Sequence, residues 1–396
     1  MSITLHDVIV IGAGAAGLMC AASAGQRGRS VLVIDHGKRP GRKILISGGG
    51  RCNFTNYDVT ANNYLSQNPH FCKSALSQFT NWDFLGLIAK YNIPFHERDH
   101  GQLFCDDSAK DIVNLLTSEC EETGNVKYKY QSEIISVERI DDNDFEVKTT
   151  QGTFKSESLV IATGGLSMPR LGATPFGWKI AEQFGLGVIP PQAALVPFTL
   201  DGREKGLTEL TGTALPVRIS CNNKEFLEAL LFTHRGISGP SILQISSYWN
   251  PGDSVTVDWL PETNALEFLE KAIAKNPAQE LKTSLSKVLP KRLIDYFIEL
   301  NVFENKPLRQ FNKKQIEDVA LNLHNWKIKP NGTEGYRTAE ATLGGVDTNE
   351  LSSKTMECKS IKGLYFVGEC MDITGWLGGY NFQWAWSSGW VAGQNV

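Results

Sequence analysis

The chain opens on an unbroken apolar run, Val8 to Ile11, which gives way to Gly12-Ala-Gly-Ala-Ala-Gly17 and an alanine-rich stretch ending at Gly28. Four consecutive apolar positions bounded by turn residues fit a strand buried on both faces. Ser30–Asp35 repeats that pattern, so strand Val8–Gly12, helix Ala13–Gly28 and strand Ser30–Asp35 form a predicted β-α-β unit. A polar, glycine-rich stretch follows, then helical periodicity around Lys73–Tyr91. From Val126 to Lys155, short apolar runs alternate with turn residues, among them Asp141-Asp142-Asn143-Asp144, predicting a small antiparallel meander. Leu159-Val-Ile-Ala-Thr-Gly-Gly165 reads as a buried strand running into a glycine turn. Pro190-Pro191 punctuates the chain at a candidate boundary. Ala194–Leu260 reads as short strands, and Glu262–Leu323 carries helical periodicity. Glycines return at Gly332, Gly335, Gly344 and Gly345 before a final strand, turn and helix.

This order predicts an α/β protein: a Rossmann core with an antiparallel meander, interrupted by an inserted β-plus-α region. A chain of 396 residues exceeds what one core holds. The expected parts are a discontinuous nucleotide-binding domain (1–193 and 335–396), an inserted small β domain (194–261 and 324–334) and a helical lobe (262–323). Composition is that of an ordinary soluble enzyme, 41% hydrophobic and 21% charged. No apolar run is long enough to span a membrane, and Val8–Ile11 lacks the flanks of a signal peptide. Eight cysteines without a CxxC pair imply free thiols in a reducing cytoplasm. The net charge of −4 does not invite nucleic acid overall. Between Glu262 and Pro330, however, 12 Lys and Arg face 9 Asp and Glu. That excess fits either a solvated helical surface or a mildly basic lobe that meets a polyanion.

Gly12-x-Gly14-x-x-Gly17 has a strand before it and a helix after it. Gly12 permits the tight turn, Gly14 lets backbone approach a pyrophosphate, and Gly17 lets the helix pack on the strand. Ala15 and Ala16 lie at the helix start, whose free N–H groups favour phosphate. Asp35 ends the second strand, where a carboxylate accepts from ribose hydroxyls and repels a 2′-phosphate, disfavouring NADP. The fingerprint alone leaves the dinucleotide open. Two distant segments shift the choice to FAD: Ala162-Thr163-Gly164 after a strand, and Gly363–Gly368 followed by Glu369. A flavin's ribityl and ring parts extend well beyond the ADP half and need such a second glycine strand end. Glu369 or Asp372 is the candidate for the ribityl hydroxyls. Gly378-Gly379 then starts a helix, bringing Gly379, Tyr380 and Asn381 to the flavin ring. Trp376, Trp384, Trp386 and Trp390 are expected mostly in the core. No second GxGxxG occurs, so NAD(P)H is expected to dock transiently as reductant.

Gly41-Arg-Lys-Ile-Leu-Ile-Ser-Gly-Gly-Gly-Arg-Cys-Asn-Phe-Thr-Asn56 is the most distinctive stretch. Gly48, Gly49 and Gly50 let backbone lie against a cofactor or substrate. Arg42, Lys43 and Arg51 offer phosphate-binding charge; Asn53 and, in the meander, Ile134 complete the cofactor candidates. This stretch resembles the signature of the YhiN/RdsA/BaiN-like FAD-dependent flavoproteins, most closely the RdsA (YhiN) branch. So do Phe232-Thr-His-Arg-Gly-Ile-Ser-Gly-Pro240, Thr338-Ala-Glu-Ala-Thr-Leu-Gly-Gly-Val346 and Gly375-Trp-Leu-Gly-Gly-Tyr-Asn-Phe-Gln-Trp-Ala-Trp386 with Ser387-Ser388-Gly389. The resemblance covers essentially the whole chain. It implies FAD, a glutathione-reductase-like core, an insert of small barrel plus helical lobe, and reduction of a conjugated C=C bond. In the RdsA branch the substrate is a uridine of 23S ribosomal RNA, as RNA or as a large-subunit assembly particle; in the BaiN branch it is a steroid enone.

Both reactions need a proton donor beside the flavin, and the candidates are Cys52, His234 and Tyr380. The competing explanation for each is structural: a small buried Cys, a structural His and a packed Tyr. RNA contact is expected at Lys287, Lys291, Arg292, Arg309, Lys313 and Lys314, with Lys287 and Lys291 sharing a helix face. Besides RNA reduction, a small-molecule ene-reductase and a non-catalytic flavin-binding regulator remain open. His96-Glu-Arg-Asp-His100 fits the HExxH zinc pattern, but Pro94 and Gly101 bracket it too closely for a sustained helix, and no metal site is expected.

Overall fold

The computed structural model describes residues 4–140 and 144–396; positions 141–143 of the expected meander turn lie outside the described residues. The chain forms two compact units, Met1–Ala193 with Glu340–Val396, and Ala194–Ala339.

In the first unit, β1 (Thr4–Ile11), α1 (Ala15–Gln26) and β2 (Val31–Ile34) form the β-α-β unit. β1 lies between β2 and the strand Gly152–Ile161, parallel to both. That central position buries Val8, Ile9 and Val10 completely and explains why the run carries no alternation. Val126–Lys129, expected in the meander, instead extends the parallel sheet beside β2. Asn125 fixes it there: its side chain donates to the Gly25 carbonyl (2.9 Å) and its own carbonyl accepts from the Val31 N–H (2.9 Å). Gly152–Ile161 is one strand with two roles. Its first half pairs antiparallel with Phe145–Thr149, itself paired with Ile134–Arg139, while Leu159–Ile161 pairs parallel with Leu364–Phe366. The polar Lys155 and Glu157 hide this continuity in the sequence.

The stretch around Lys73–Tyr91 is two helices, Cys72–Gln78 and Asn81–Lys90. Thr80 breaks it, because its side chain and that of Asp83 form a capping box that starts the second helix afresh. The terminal helix Tyr380–Gly393 packs on α1 through small residues: a Cβ on Gly389 would lie 2.4 Å from the Ala16 carbonyl oxygen. Trp386 stacks on Phe84 (4.6 Å) and Phe382 (5.4 Å) and donates to the Phe54 carbonyl (2.8 Å). A helix apolar all round, as α1 is, requires this covering on both sides.

The second unit carries a seven-stranded antiparallel sheet, in the order Trp326–Ile328, Val255–Asp258, Ala214–Cys221, Lys224–Thr233, Gly236–Ser238, Phe198–Thr199, Gly332–Thr333. Helices Ala265–Lys275, Leu281–Leu285, Lys291–Glu299 and Lys313–His324 sit between its Val255–Asp258 and Trp326–Ile328 strands in sequence. Asn264 and Asn312 cap the first and last of them. Lys287 and Lys291 do not share a helix, because Pro290 ends the intervening turn and starts a new helix at Lys291. Among the described residues, no helix is long and apolar enough to cross a membrane.

Candidate cofactor and active site

Gly12 leaves β1 with φ 112°, and a Cβ there would lie 2.4 Å from the Ala162 carbonyl oxygen. A Cβ on Gly17 would lie 1.9 Å from the Gly12 carbonyl oxygen. The strand end, the turn and α1 are thus held at glycine distance. Gly14, which caps α1, behaves differently: the place of its missing Cβ is open space. An open, uncrowded helix start is what an anion requires. Gly164 (φ 71°), at the end of Gly152–Ile161 just past Ala162 and Thr163, is open in the same way.

The C-terminal segment arrives at the same turn. A Cβ on Gly368 (φ 72°) would lie 2.9 Å from the Ala16 Cβ; its N–H donates to Ser388 Oγ (3.0 Å) and its carbonyl accepts from Trp384 Nε1 (3.1 Å). The Gly12–Gly17 turn and Gly368 therefore meet across α1, as their pairing in the sequence suggested.

Asp35 is largely committed to the backbone. One carboxylate oxygen accepts from the Ala13 N–H (2.8 Å), the other from the Gly37 N–H (2.6 Å) and from Arg42 (3.4 Å). Arg42 also reaches His36 Nε2 (3.0 Å). The segment leading to Ile134 closes the same corner, Gln131 and Ser132 donating N–H groups to the Gly37 and Asp35 carbonyls (2.9 and 3.1 Å). Ile134 itself is half-buried at the edge of the meander. Asp35→Ala should leave two N–H groups without acceptors, at about 1–3 kcal/mol each. We expect a fall in Tm of several degrees, checked by thermal denaturation monitored by circular dichroism.

The glycine loop is left-handed at Gly48, Gly49 and Gly50 (φ 55°, 67° and 89°), and the last two face open space. Arg51 is exposed beside them. Cys52, a candidate proton donor, is fully buried at φ 48°, and burial pushes its thiol well above the ordinary range. A thiol so enclosed, and so reluctant to ionise, lacks both a route to substrate and the acidity for proton transfer. Its sequence neighbour Asn53 faces the other way. With its amide oxygen toward the Gly379 N–H (3.1 Å), its nitrogen reaches the Leu103 and Thr55 carbonyls (3.2 Å each).

Gly379 (φ 93°) presses on that strand, where a Cβ would lie 2.4 Å from the Thr55 carbonyl oxygen. Asn381 closes the turn before the terminal helix, accepting from the Gly375 N–H (2.8 Å) and donating to the Gly375 carbonyl (2.9 Å). Tyr380 is buried between Tyr64 and Trp376, and its carbonyl accepts from Tyr64 Oη (3.0 Å). Its ring thus has the packing role that competes with proton donation. His234 is exposed in the hairpin between Lys224–Thr233 and Gly236–Ser238, in the second unit.

Lys43 was expected to offer a free cation. Instead its ammonium donates to Glu369 Oε2 (2.6 Å) and Ser167 Oγ (2.5 Å), and Ser167 Oγ donates to Glu369 Oε1 (2.9 Å). Asp372 is 4% exposed and turned away, accepting from the Gln67 N–H (2.7 Å), with burial raising its carboxyl above the usual range. Glu369 is thus the carboxylate of the pair that joins the Lys43 cluster. Ser167, Thr342 and Glu340 join this corner unpredicted. Thr342 Oγ1 accepts from the Leu166 and Ser167 N–H groups (3.0 and 3.2 Å). Glu340 is the only charged residue in Thr338–Val346, the one signal that could have marked it.

Two other histidine settings are structural. His96 lies on the strand Phe95–Arg98 and pairs with Asp106 (2.6 Å), and His100 follows in a left-handed turn, so the pair shares no helix face. A groove of about 660 Å³ in the second unit includes Arg218, Asp258 and His324. There both ring nitrogens of His324 are engaged, by Asp258 (2.8 Å) and by the Ala265 N–H (3.0 Å), which ties the sheet to a helix start.

The HI0933-like protein Rossmann domain family matches residues 6–395. The chain is similar to a ribosomal RNA dihydrouridine synthase of Escherichia coli, 57% identical over 395 residues and 98% of each chain. It is also similar to a 3-dehydro-bile acid delta(4,6)-reductase of Clostridium scindens, 29% identical over 407 residues and 98% of each chain. Among solved structures, a 3-ketosteroid-delta4-(5alpha)-dehydrogenase from Rhodococcus jostii aligns with a TM-score of 0.51 at 13% identity, over 99% of this chain and 97% of that one. At that identity the likeness is one of fold.

Proposed function

The chain belongs to the HI0933-like Rossmann-domain family, and from that premise we propose that it is an FAD-dependent oxidoreductase. It reduces the C5=C6 bond of a uridine in 23S ribosomal RNA to dihydrouridine, with NAD(P)H as electron source, in the cytoplasm. The observation that carries this reading is the 57% identity, held from end to end, with the ribosomal RNA dihydrouridine synthase of Escherichia coli.

The residues fit FAD. Gly14 and Gly164 leave open space where side chains would stand, at a helix start and a strand end brought together by glycine contacts. Gly12, Gly14 and Gly17 with Ala15 and Ala16 take the pyrophosphate, and Asp35 with its remaining lone pairs takes the ribose. Gly368 and Glu369 take the ribityl chain, and Gly48–Gly50 with Gly379–Asn381 border the ring. When bound, FAD supplies the hydride that uracil C6 receives. Uracil C5=C6 is conjugated with C4=O, so charge then develops on O4 and a proton must reach C5. The protein's task is to place an unstacked base, keep water out, meet the charge on O4 and deliver that proton.

We read the inserted residues 194–334 as the part that selects the substrate. Lys287, Lys291, Arg292, Arg309, Lys313 and Lys314 are all exposed there. Arg292 donates to the Glu209 carbonyl and Lys313 stands 3.9 Å from Glu317. Neither contact removes the positive charge from the surface.

The reading is tested with 23S rRNA from cells lacking this gene, assayed for a missing dihydrouridine. Purified holoenzyme with NADH or NADPH should restore it, on naked RNA or on assembly particles. Charge reversal at Lys291, Arg309 and Lys314 should weaken RNA binding by at least about tenfold at 0.1 M salt and flatten its salt dependence. Modification intact in the knockout rRNA would reject the RNA substrate. Turnover of a steroid enone in its place would establish the second reading, which the Clostridium scindens relative favours. Flavin binding with neither turnover would leave a non-catalytic role.

A further inference from the structure

His96-Glu-Arg-Asp-His100 is not a metal motif, but it places His96 and Arg98 on one face of the strand Phe95–Arg98. That strand pairs antiparallel with Gln102–Cys105, and Phe104 is the partner of His96. The Arg98 guanidinium carbon lies 4.3 Å from the centroid of the Phe104 ring, and the His96 ring stacks on the same side chain (6.0 Å, 15°). Arg98 Nε donates to His96 Nε2 (3.2 Å). A nitrogen that accepts carries no proton, so the imidazole proton sits on Nδ1 and is donated to Asp106 (2.6 Å). The two bonds fix one orientation of the guanidinium. Its far end is not held: among the described residues the two terminal nitrogens of Arg98 have no hydrogen bond or ion pair, and the residue is exposed.

This arrangement adjoins the segments proposed to border the flavin ring. Phe104 packs on the glycine loop, where a Cβ on Gly48 would lie 2.9 Å from its ring. Asn53, the partner of Phe104 on the strand Asn53–Asn56, faces the Gly379 N–H. Gln102, the partner of Arg98, lies against Gly378, whose missing Cβ would be 3.1 Å from the Gln102 side chain. Asn56 ties this edge together, donating to the His100 and Gly378 carbonyls (3.0 Å each). Arg98 therefore stands one aromatic ring beyond the glycine loop. Arg51, a second exposed arginine, leaves that loop directly, its carbonyl accepting from the Cys105 N–H (3.0 Å). Glu97, between His96 and Arg98, alternates to the other face of the strand.

We propose that Arg98 binds a phosphate of the RNA strand beside the target uridine, with Phe104, His96 and Asp106 as positioning residues that hold its guanidinium for that contact. This rests on the uridine reduction proposed above. A guanidinium offers parallel N–H groups that match two oxygens of a phosphodiester. With Nε given to His96, the pair left for the anion is Nη1 and Nη2. Stacking on Phe104 and the bond to His96 order the side chain before RNA arrives, so less conformational entropy is lost on binding. A base turned out of its stack stays joined to its own backbone, so an enzyme that takes uracil at the ring must meet the flanking phosphates close by. A fixed fork at the rim of the site sets the register of the strand, and with it the position of the base.

The test uses full-length holoenzyme, reduced anaerobically with dithionite and mixed with dihydrouridine-free 23S rRNA over a range of RNA and salt concentrations. Dihydrouridine formed in a single turnover gives the half-saturating RNA concentration and the saturated rate; Tm and FAD content check that each variant is folded. Arg98→Gln should raise the half-saturating concentration by about tenfold at 0.1 M salt and lower its log–log salt slope by about 0.7–0.9, the loss of one phosphate contact. The saturated rate should change far less. Arg98→Lys should restore the salt slope but only part of the affinity, because an ammonium lacks the fork. His96→Phe keeps a ring beside Phe104 and removes the acceptor, so it should weaken RNA saturation by about threefold with the slope intact, and His96→Gln should recover it. Arg98→Gln within about twofold of wild type, or weaker affinity with an unchanged salt slope, overturns the phosphate contact. Wild-type affinity in His96→Phe overturns the positioning role. A defect of Arg98→Gln in flavin reduction by NADH or NADPH, with RNA saturation intact, gives the guanidinium to the nicotinamide cofactor and overturns the RNA assignment. A wild-type holoenzyme that forms no dihydrouridine overturns the uridine reaction, and this proposal with it.

Discussion

Gly17→Ala is expected to yield a protein that retains little FAD and melts several degrees below wild type. The added methyl would stand 1.9 Å from the Gly12 carbonyl oxygen, a backbone atom that has nowhere to go. Gly12 is itself wedged, its own missing Cβ being 2.4 Å from the Ala162 carbonyl. Nor can α1 retreat, because Gly389 of the terminal helix approaches the Ala16 carbonyl equally closely on the other side. Overpacking in so enclosed a place costs about 1–3 kcal/mol or more. The turn that offers N–H groups to the pyrophosphate would be displaced with it. Gly14→Ala provides the contrast: its methyl enters open space, so the fold should keep its Tm while FAD affinity falls by about tenfold or more, since the methyl occupies the phosphate's approach. Flavin absorbance per protein and a thermal melt on both variants decide the matter. A flavin-replete Gly17→Ala with wild-type Tm would show that the glycine contact is not what shapes the turn.

Local pattern carried the part of the fold that depends on local pattern. The apolar runs of β1 and β2 and the spacing Gly12, Gly14, Gly17 are short-range signals, and they mark the β-α-β unit to within a few residues of its observed ends. The meeting of Gly368 with Ala16 was anticipated only because the C-terminal glycines repeat a strand-then-turn pattern. What escaped was set by partners far away in the chain. Val126–Lys129 joins the parallel sheet because Asn125 is tied to the end of α1, a contact that leaves no periodicity. Lys43 looked like a phosphate anchor, since its partner Glu369 stands 326 positions later. Cys52 looked reactive because it sits in a glycine loop; the backbone turn that points its thiol into the core is visible only in three dimensions. Pro290, which lacks an N–H and fixes φ, separates Lys287 from the helix that starts at Lys291.

Lys43→Met should change the pH response of stability, in a direction fixed by the cluster around it. Lys43 lowers the proton affinity of Glu340 while loss of hydration raises it, and the second effect is the larger. Without the ammonium only the upward push remains, so the folded-state titration of Glu340 should move to higher pH. The stability consequence has a definite sign. A carboxyl that binds its proton more tightly in the folded protein than in the unfolded chain favours the fold below the ordinary glutamate value. That contribution fades as pH rises through the higher, folded value. Lys43→Met raises the folded value further, so its stability should decline more steeply than that of wild type from mildly acidic toward neutral pH. Glu369 adds to the deficit, because its side chain is only 16% exposed and loses its cation while keeping Ser167. Lys43→Arg, which preserves the charge, should restore most of the wild-type profile. Urea denaturation at pH 5 and pH 8 provides the measurement. Parallel wild-type and Lys43→Met stability curves would show that Glu340 does not feel Lys43.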